Sequence, residues 1–244
     1  MPSLSPYRAD LPYGYAPGVY PSIALMEAVP QQARRLLLSQ RAEGEGIRKL
    51  REICAGHHVR EEFADKALRR ISGKENCFAA LVFEKWRKEP DAGAPHVVLV
   101  NPMDEGNLGT IQRTLLGFGF LDLAVIRPAA DVFAPHVVRS SMGAVFYLRL
   151  QEYKDFHSYR EAFPRHALYP FMLDGAVPLH EAARQPEQPF SLVFGNEGAG
   201  LPPEFSTFGQ AVRIPHSDAI DSLNLAVAVA IGAYAFTHGK GEDE

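Results

Sequence analysis

The second half of this 244-residue chain alternates short apolar runs with helical stretches, and this alternation limits the folds open to it. From residue 96 onward the runs are apolar throughout, which is typical of strands buried on both faces. Helical stretches between such strands indicate an α/β fold with a mostly parallel sheet covered by helices. We predict strands over 97–100, 123–126, 145–149, 167–173, 190–194 and 211–214, and helices over 108–118, 134–141, 153–163 and 222–236.

The first 90 residues follow a different pattern. Residues 1–20 mix Tyr, Pro and Gly without periodicity, so we expect an irregular arm. Helical spacing predicts helices over 23–41, 47–56 and 61–71, and an apolar run predicts a strand over 78–83. The Pro- and Gly-containing segment 89–95 has the composition of a linker. The sequence therefore predicts an N-terminal domain over residues 1–90 and a second domain over residues 96–244.

The formal net charge of −4 is unevenly distributed. Residues 1–90 hold 15 Lys and Arg against 11 Asp and Glu, whereas residues 91–244 hold 10 against 18. A basic front part can bind phosphate locally even when the whole chain is acidic. The same cations would also suit an ordinary solvated helix face, so charge alone leaves both interpretations open.

Several classes of protein are disfavoured. Cys54 and Cys77 lie far apart without a pairing pattern, which favours a reducing compartment over a disulfide framework or a zinc site. The N-terminus lacks the apolar core of a signal peptide, and the apolar run 225–236 is too short to span a bilayer, so we expect a cytoplasmic protein. The histidines have no metal-ligand spacing, and HExxH and G-x-S-x-G are absent, so we expect no metal.

Ligands of open parallel sheets bind beyond the carboxyl ends of the strands. We therefore expect the functional loops after Val100, Leu173, Phe194 and Ile214. The loop 195–200, GNEGAG, has three glycines that allow close approach of the backbone to a ligand. Its glycine order matches neither the dinucleotide fingerprint nor a P-loop, so by itself it fits a plain turn or a ligand loop equally. A negative charge at Glu197 would favour a cationic ligand.

Asn107 and Arg113 fall on the predicted helix after the first strand of the second domain. Asn107 can cap that helix. The forked donors of Arg113 suit a phosphate, although a neighbouring carboxylate would satisfy them too.

Ser222-Leu223-Asn224 stands at the tip of a small-residue apolar helix. A capped core helix is the simplest interpretation of this pattern. We expect Asn224 to lie inside the first turn, where no cap is needed, and the helix to be buried on all sides. A polar tip on such a helix suggests a site.

Three segments together resemble the SpoU/TrmH branch of the SPOUT RNA methyltransferases. They are N-x-G-x-x-x-R-T at 107–114, the strand and glycine loop at 192–200, and I-P…S-L-N-L-A-V-A at 214–228. The resemblance covers residues 96–240 in order, and segment 140–144, SSMGA, is similar to a small-residue stretch of the family. The front domain is more loosely similar to the ribosomal-protein-like RNA-binding domain of many members. His216 departs from the family, where Met commonly follows Ile-Pro, but the contact expected there is through the backbone.

The resemblance implies a SPOUT-type parallel sheet with a C-terminal deep trefoil knot, preceded by a smaller α/β ribosomal-protein-like RNA-binding domain. It also implies a homodimer that uses S-adenosylmethionine to methylate a ribose 2′-hydroxyl in tRNA or rRNA. The implied catalytic residues are Arg113, Asn107, Ser222, Asn224 and Glu197. The implied cofactor-binding residues are Leu173, Gly195, Asn196, Glu197, Gly200, Ile214 and Leu223.

In the family the arginine matching Arg113 has the central catalytic role, sometimes as the base. We prefer the hypothesis that Arg113 clamps an RNA phosphate, because guanidinium stays protonated in proteins. Ser222 and Asn224 would then position Arg113 and the ribose, and Asn107 would order the loop.

Two other functions are alternatives to an RNA methyltransferase. A non-catalytic RNA-binding protein on an inert SPOUT scaffold is disfavoured because the implied catalytic residues are all present. A Rossmann-type nucleotide enzyme is disfavoured by the glycine order of the loop 195–200.

Overall fold

A computed structural model describes residues 5–73, 76–174 and 177–238. Its strands are β1 (Tyr13–Pro17), β2 (Ala33–Leu38), β3 (Arg60–Phe63), β4 (Ala79–Glu84), β5 (His96–Val100), β6 (Asp122–Ile126), β7 (Arg149–Tyr153), β8 (Ala167–Pro170), β9 (Val177–Pro178), β10 (Phe190–Phe194) and β11 (Val212–Arg213). Its α-helices are α1 (Val19–Ala28), α2 (Glu45–Gly56), α3 (Asp65–Ser72), α4 (Glu105–Gly117), α5 (Pro135–Ser140), α6 (Phe156–Ala162), α7 (Leu179–Ala182) and α8 (Leu225–His238).

The chain divides into two compact units. Unit 1 combines Met1–Trp86 with Asp131–Tyr147, and unit 2 combines Arg87–Ala130 with Leu148–Glu244. This division differs from the predicted contiguous one, because the segment 131–147 belongs with the front of the chain. Aromatic packing explains the difference: the ring centroids of Trp86 and Phe133 are 5.2 Å apart, as are those of Phe83 and Phe146. The periodicity of segment 131–147 does not indicate that this segment packs with the front of the chain.

Unit 1 contains a four-stranded sheet in the order β1-β4-β2-β3. Strand β4 is antiparallel to both β1 and β2, and β2 is parallel to β3. Buried side chains of β2 and β4, among them Leu36, Leu37 and Leu81, form its core.

Three predictions for the front of the chain are wrong. The helix predicted over 23–41 ends at Ala28, and β2 follows a few residues later. Pro30 explains this break, because the residue before a proline is pushed out of the helical region, and Val29 has φ −144°. Residues 13–17 of the predicted arm form β1, and the helix predicted over 61–71 is β3 followed by α3.

Unit 2 contains a five-stranded sheet in the order β7-β6-β5-β10-β8, and all four strand pairs are parallel. The predicted α/β fold with a parallel sheet is therefore confirmed for this unit. A second small sheet pairs β9 with β11, also in parallel. The strand predicted over 145–149 is wrong: Ala144–Phe146 is a 3₁₀ turn after Gly143, whose φ is +84°, and β7 begins at Arg149.

Helix α8 begins at Leu225 rather than at 222, and one of its faces is not buried. Val227 and Tyr234 are 46% and 56% exposed, so the predicted burial on all sides is wrong. The opposite face packs closely on the sheet, since a Cβ added at Gly232 would lie 2.7 Å from the Phe171 ring.

Within residues 5–73, 76–174 and 177–238, none of the helices is both long and apolar enough to cross a membrane. No group of three or more His, Cys, Asp or Glu in the same ranges could hold a metal ion. Residues 175–176 of the predicted loop after Leu173 lie outside the described residues.

Candidate ligand-binding site at the carboxyl edge of the sheet

Unit 2 contains a cavity of about 500 Å³ beyond the carboxyl ends of β8, β10 and β11. Residues from three segments line it, within 171–174, 194–206 and 212–228. This volume lies within the range of small-molecule sites, about 300–1,000 Å³. The structure brings all seven predicted cofactor-binding residues to this cavity: Leu173, Gly195, Asn196, Glu197, Gly200, Ile214 and Leu223.

The glycine loop 195–200 is closed by its own backbone. A Cβ at Gly195 would lie 2.1 Å from the carbonyl carbon of Gly200, so only glycine fits there. Asn196 and Gly200 exchange two backbone hydrogen bonds, of 3.2 and 2.9 Å, and Gly200 has φ +67°. The Asn196 Oδ1 atom accepts hydrogen bonds from the backbone of Gly198 and Ala199 at 2.9 and 3.1 Å. The loop therefore presents a defined backbone surface to the cavity.

Glu197 joins this loop to the start of α4. Its carboxylate accepts hydrogen bonds from the backbone N–H groups of Met103 and Asp104 at 3.1 and 3.0 Å. A carboxylate at a helix N-terminus is stabilised by the helix dipole. Asp104 is the N-cap of α4, because its Oδ1 accepts a hydrogen bond from the Asn107 backbone at 2.6 Å. The predicted capping role of Asn107 is therefore wrong.

Asn224 caps α8 and also contacts α4. Its Oδ1 accepts hydrogen bonds from the backbone of Ala226 and Val227 at 2.9 and 3.3 Å. Its Nδ2 donates to Asn107 Oδ1 at 3.0 Å. The expectation that Asn224 lies inside the first turn is wrong. One side chain thus holds the first turns of two helices together.

The five predicted catalytic residues are only partly brought together. Asn107 and Asn224 are in direct contact, and Glu197 and Ser222 line the cavity. Arg113 lies on the exposed surface of α4 and is not among the residues that line the cavity.

Sequence reasoning missed several residues of the cavity. Asp174 and Asp221 are exposed carboxylates that line it beside Glu197. The rings of Phe171 and Phe194, stacked with centroids 4.2 Å apart, also belong to its lining. The available signal was that Asp174 and Asp221 fall in the loops after Leu173 and Ile214, which were expected to be functional. Since none of the described lining residues is Lys or Arg, the cavity suits a cationic ligand better than an anionic one.

Residues 94–234 match the model of the SpoU rRNA Methylase family. The chain is 33% identical over 155 residues to an uncharacterized tRNA/rRNA methyltransferase of Synechocystis, which covers 61% of this chain and 55% of that protein. It is 32% identical over 152 residues to the 23S rRNA (guanosine(2553)-2′-O)-methyltransferase of Bacillus subtilis, which covers 60% of each chain. The chain thus spans little more than half the length of these curated relatives.

A solved structure is also similar, the AdoMet-bound rRNA methyltransferase of Sinorhizobium meliloti. The two share 26% identity with a TM-score of 0.76, covering 92% of this chain and 87% of that one. The structural likeness therefore includes residues outside the range matched by the family model.

Proposed function

Because the chain belongs to the SpoU rRNA Methylase family, we propose that it is an S-adenosylmethionine-dependent methyltransferase that methylates a ribose 2′-hydroxyl in tRNA or rRNA. The observation that carries this proposal is the cavity of unit 2. Two of the three motif segments line it. The third is joined to it by the contact of Asn224 with Asn107, next to the contact of Glu197 with Met103 and Asp104.

S-adenosylmethionine supplies a methyl group attached to a positively charged sulfonium. The residues present fit such a ligand, because Asp174, Glu197 and Asp221 provide negative charge at the cavity. The backbone of the glycine loop, together with the segments at Leu173, Ile214 and Leu223, would hold the cofactor. Close approach of backbone is what glycine permits.

The acceptor side of the site would use α4 and α8. Asn107 and Asn224 hold the N-terminal turns of these helices together. Because the Asp104 and Glu197 carboxylates already bind the backbone at the start of α4, a phosphate would be bound by a cationic side chain and not by that helix N-terminus. Arg113 is exposed further along α4 and would contact a phosphate, with Ser222 at the cavity to orient the ribose. Phosphate or water would accept the hydroxyl proton, since guanidinium stays protonated.

Replacing Arg113 with Lys distinguishes a role as a phosphate clamp from a role as the catalytic base. If Arg113 clamps a phosphate, the loss of forked donors lowers kcat/KM by about tenfold to a hundredfold at every pH, because Lys is a point charge. The measurement is methyl transfer by Arg113→Lys between pH 7 and 10, with Arg127→Lys as the control in unit 2. Recovery of activity as the pH approaches the lysine pKa would favour the base instead.

The same proposal includes a deep trefoil knot and a homodimer. The knot is supported by the fact that segments 171–174, 194–206 and 212–228 line one cavity together. The homodimer would use the apolar face of α8, since Val227 and Tyr234 are exposed and the Phe118 ring lies 5.8 Å from that of Tyr234. Exposed apolar patches of this kind mark interaction surfaces. Unit 1 would bind the RNA substrate.

Two measurements test the enzyme assignment. Calorimetric titration with S-adenosylmethionine should show binding by the purified protein. Absence of binding would favour the non-catalytic RNA-binding alternative.

Nucleoside digests of total tRNA and rRNA are compared by mass spectrometry between wild-type and deletion cells. The deletion should lack one 2′-O-methylnucleoside. Unchanged digests would contradict the assignment.

A further inference from the structure

Unit 1 carries two surfaces of opposite character. A groove of about 1,020 Å³ between α1 and α2 has an apolar floor that includes Val19, Ile23 and Phe78. Its acidic residues are Glu27, Glu43, Glu45 and Glu52, against the two cations Arg48 and Lys49. The Lys49 amine also lies 3.7 Å from Glu27. This acidic groove would repel a nucleic acid.

The cations of α3 differ from most other cations of unit 1 in their ion pairing. Ion pairs in the described part of unit 1 engage Arg8, Arg34, Arg35, Lys49, Arg51 and Lys85. Lys66, Arg69 and Arg70 are exposed on α3 and have no ion pair within the described residues of that unit. Arg139 of α5 adds a fourth cation, because its guanidinium donates to the carbonyl of Ser72 at the end of α3 at 3.1 Å. Three exposed cations thus follow one another on α3, with Asp65 in the first turn as the acidic residue of that helix.

An exposed aromatic ring stands at the start of this helix. Phe63 is 62% exposed, although it is the last residue of β3 and pairs in register with the buried Leu38 of β2. It precedes α3 by two residues, with Lys66 three residues further on. An exposed aromatic ring that precedes a basic helix suits stacking on an unpaired base while the cations of the helix neutralise phosphates.

The loop after β2 completes the same sheet edge and is held in place. The Asp65 carboxylate accepts hydrogen bonds from the Ser39 hydroxyl at 2.5 Å and from the Gln40 backbone at 3.3 Å. This fixes the neighbouring Arg41, whose guanidinium lies 5.7 Å from the centre of the Phe78 ring. A guanidinium stacked on a ring keeps its N–H edges available for phosphate. Since β2 and β3 are parallel, Arg41 and Phe63 lie at the same edge.

We infer that the α3 face, consisting of Arg41, Phe63, Lys66, Arg69 and Arg70, binds an unpaired stretch of the RNA substrate. Phe63 stacks on a base, and the cations contact the flanking phosphates. The inference rests on the proposed function for its substrate class, and it specifies the surface of unit 1 and the single-stranded form of the RNA. The glutamates of the acidic groove between α1 and α2 take no part, although Phe78 of that groove supports the Arg41 guanidinium.

The test compares two double charge reversals with the same change in net charge. Lys66→Glu/Arg70→Glu alters the α3 face, and Arg48→Glu/Lys49→Glu alters α2 as the matched control. Binding of a fluorescent single-stranded RNA of mixed sequence to the full chain is measured against salt concentration. The α3 variant should bind at least about tenfold more weakly, with a salt slope smaller by about 0.7 for each lost phosphate contact. Equal losses in both variants would overturn the inference.

Phe63 is tested separately. Phe63→Ala should weaken single-stranded binding by about tenfold, and Phe63→Trp should restore it, because any aromatic face can stack. Binding to the same sequence annealed as a duplex should be unaffected by either change. Base stacking would be overturned if Phe63→Ala weakened duplex binding as much as single-strand binding. It would also be overturned if Phe63→Ala left single-strand binding unchanged.

These outcomes are distinct from failure of the proposed function. RNA binding is read without S-adenosylmethionine, so it does not depend on methyl transfer. If the wild type methylates RNA and the α3 variant has unchanged KM and affinity, the enzyme assignment stands and the α3 face is wrong. If the wild type leaves all 2′-hydroxyls unmethylated, the enzyme assignment fails whatever the binding data say.

Discussion

The two edges of the unit 2 sheet are built from the same parallel strands but differ in how their polar groups are satisfied. At the amino edge a buried chain of hydrogen bonds joins side chains to one another. His96 Nδ1 lies 2.8 Å from the Tyr159 hydroxyl, which lies 2.6 Å from the Ser191 hydroxyl, which lies 2.8 Å from His166 Nδ1. The two Nε2 atoms donate to the backbone carbonyls of residues 91 and 92 at 2.8 and 3.1 Å.

At the carboxyl edge several polar groups face a cavity instead, although Asn196 and Glu197 also have hydrogen-bond partners in the protein. Ser222, Asp174 and Asp221 are exposed there, and the glycine loop leaves room beside its backbone. A polar group that is satisfied inside the protein stabilises the fold, whereas one that faces a cavity is available to a ligand. The two edges therefore differ mainly in burial, because polar side chains occur at both but only those at the carboxyl edge reach a cavity.

The largest expected effect is on ligand binding, from Gly195→Ala. The added Cβ would lie 2.1 Å from Gly200, so the loop must open and lose its shape. We expect affinity for S-adenosylmethionine to fall by about a hundredfold or more, measured by calorimetry. Gly117→Ala is the control, because a Cβ there meets nothing within 4 Å. Unchanged affinity in Gly195→Ala would contradict a rigid loop at the carboxyl edge.

At the amino edge the largest effect should be on stability, from Asp122→Ala. The buried Asp122 carboxylate accepts a hydrogen bond from Arg149 Nε at 2.6 Å and one from the Asp91 backbone at 2.8 Å. Its loss should lower the free energy of unfolding by about 3 kcal/mol in urea titrations, with cofactor affinity retained. Glu161→Gln, in an exposed pair with His157, should change it by less than about 0.5 kcal/mol. Equal effects would remove the distinction between buried and exposed pairs.

The amino edge should also make the protein sensitive to acid. Burial lowers the pKa of His96 from 6.5 to about 4, and burial lowers the pKa of His166 as well. The unfolded chain therefore binds more protons than the folded protein below pH 6.5, so stability falls as the pH drops from 6.5 towards 4. His96 alone should cost about 1.4 kcal/mol for each pH unit in that window.

The measurement is the free energy of unfolding in urea at pH 7, 6 and 5. His96→Gln should reduce the pH dependence, and His157→Gln, at an exposed histidine, should leave it unchanged. If wild type and His96→Gln have parallel pH profiles, the buried histidine is not the source of the acid sensitivity.

The smallest expected effect is on the free energy of unfolding, from a change at the buried polar residue Gln112. Gln112 on α4 is fully buried, and within the described residues both its amide atoms have no hydrogen-bond partner. Gln112→Met keeps the volume and removes the desolvation cost, so the free energy of unfolding should rise by about 1 kcal/mol. Gln210→Met, at an exposed position, should bring no gain. A destabilised Gln112→Met would indicate that the amide has a partner after all.

Much of unit 2 could be predicted from the sequence. The strands 123–126 and 190–194 were located almost to the residue, because buried parallel strands are apolar throughout. Unit 1 was less predictable. The run containing Leu36, Leu37 and Leu38 suits a helix as well as a strand, and only pairing with β4 makes it a central strand.

The sequence by itself determined the parallel α/β fold of unit 2, three of the loops that line its cavity and the family. Local patterns suffice for these features, because strand burial, glycine geometry and motif order all depend on residues that are neighbours in the sequence. Tertiary structure alone decided that Asn224 caps α8 while it contacts Asn107, that Glu197 is engaged by the start of α4, and that residues 131–147 belong to unit 1. Each of these depends on contacts between residues far apart in the chain, which periodicity cannot report.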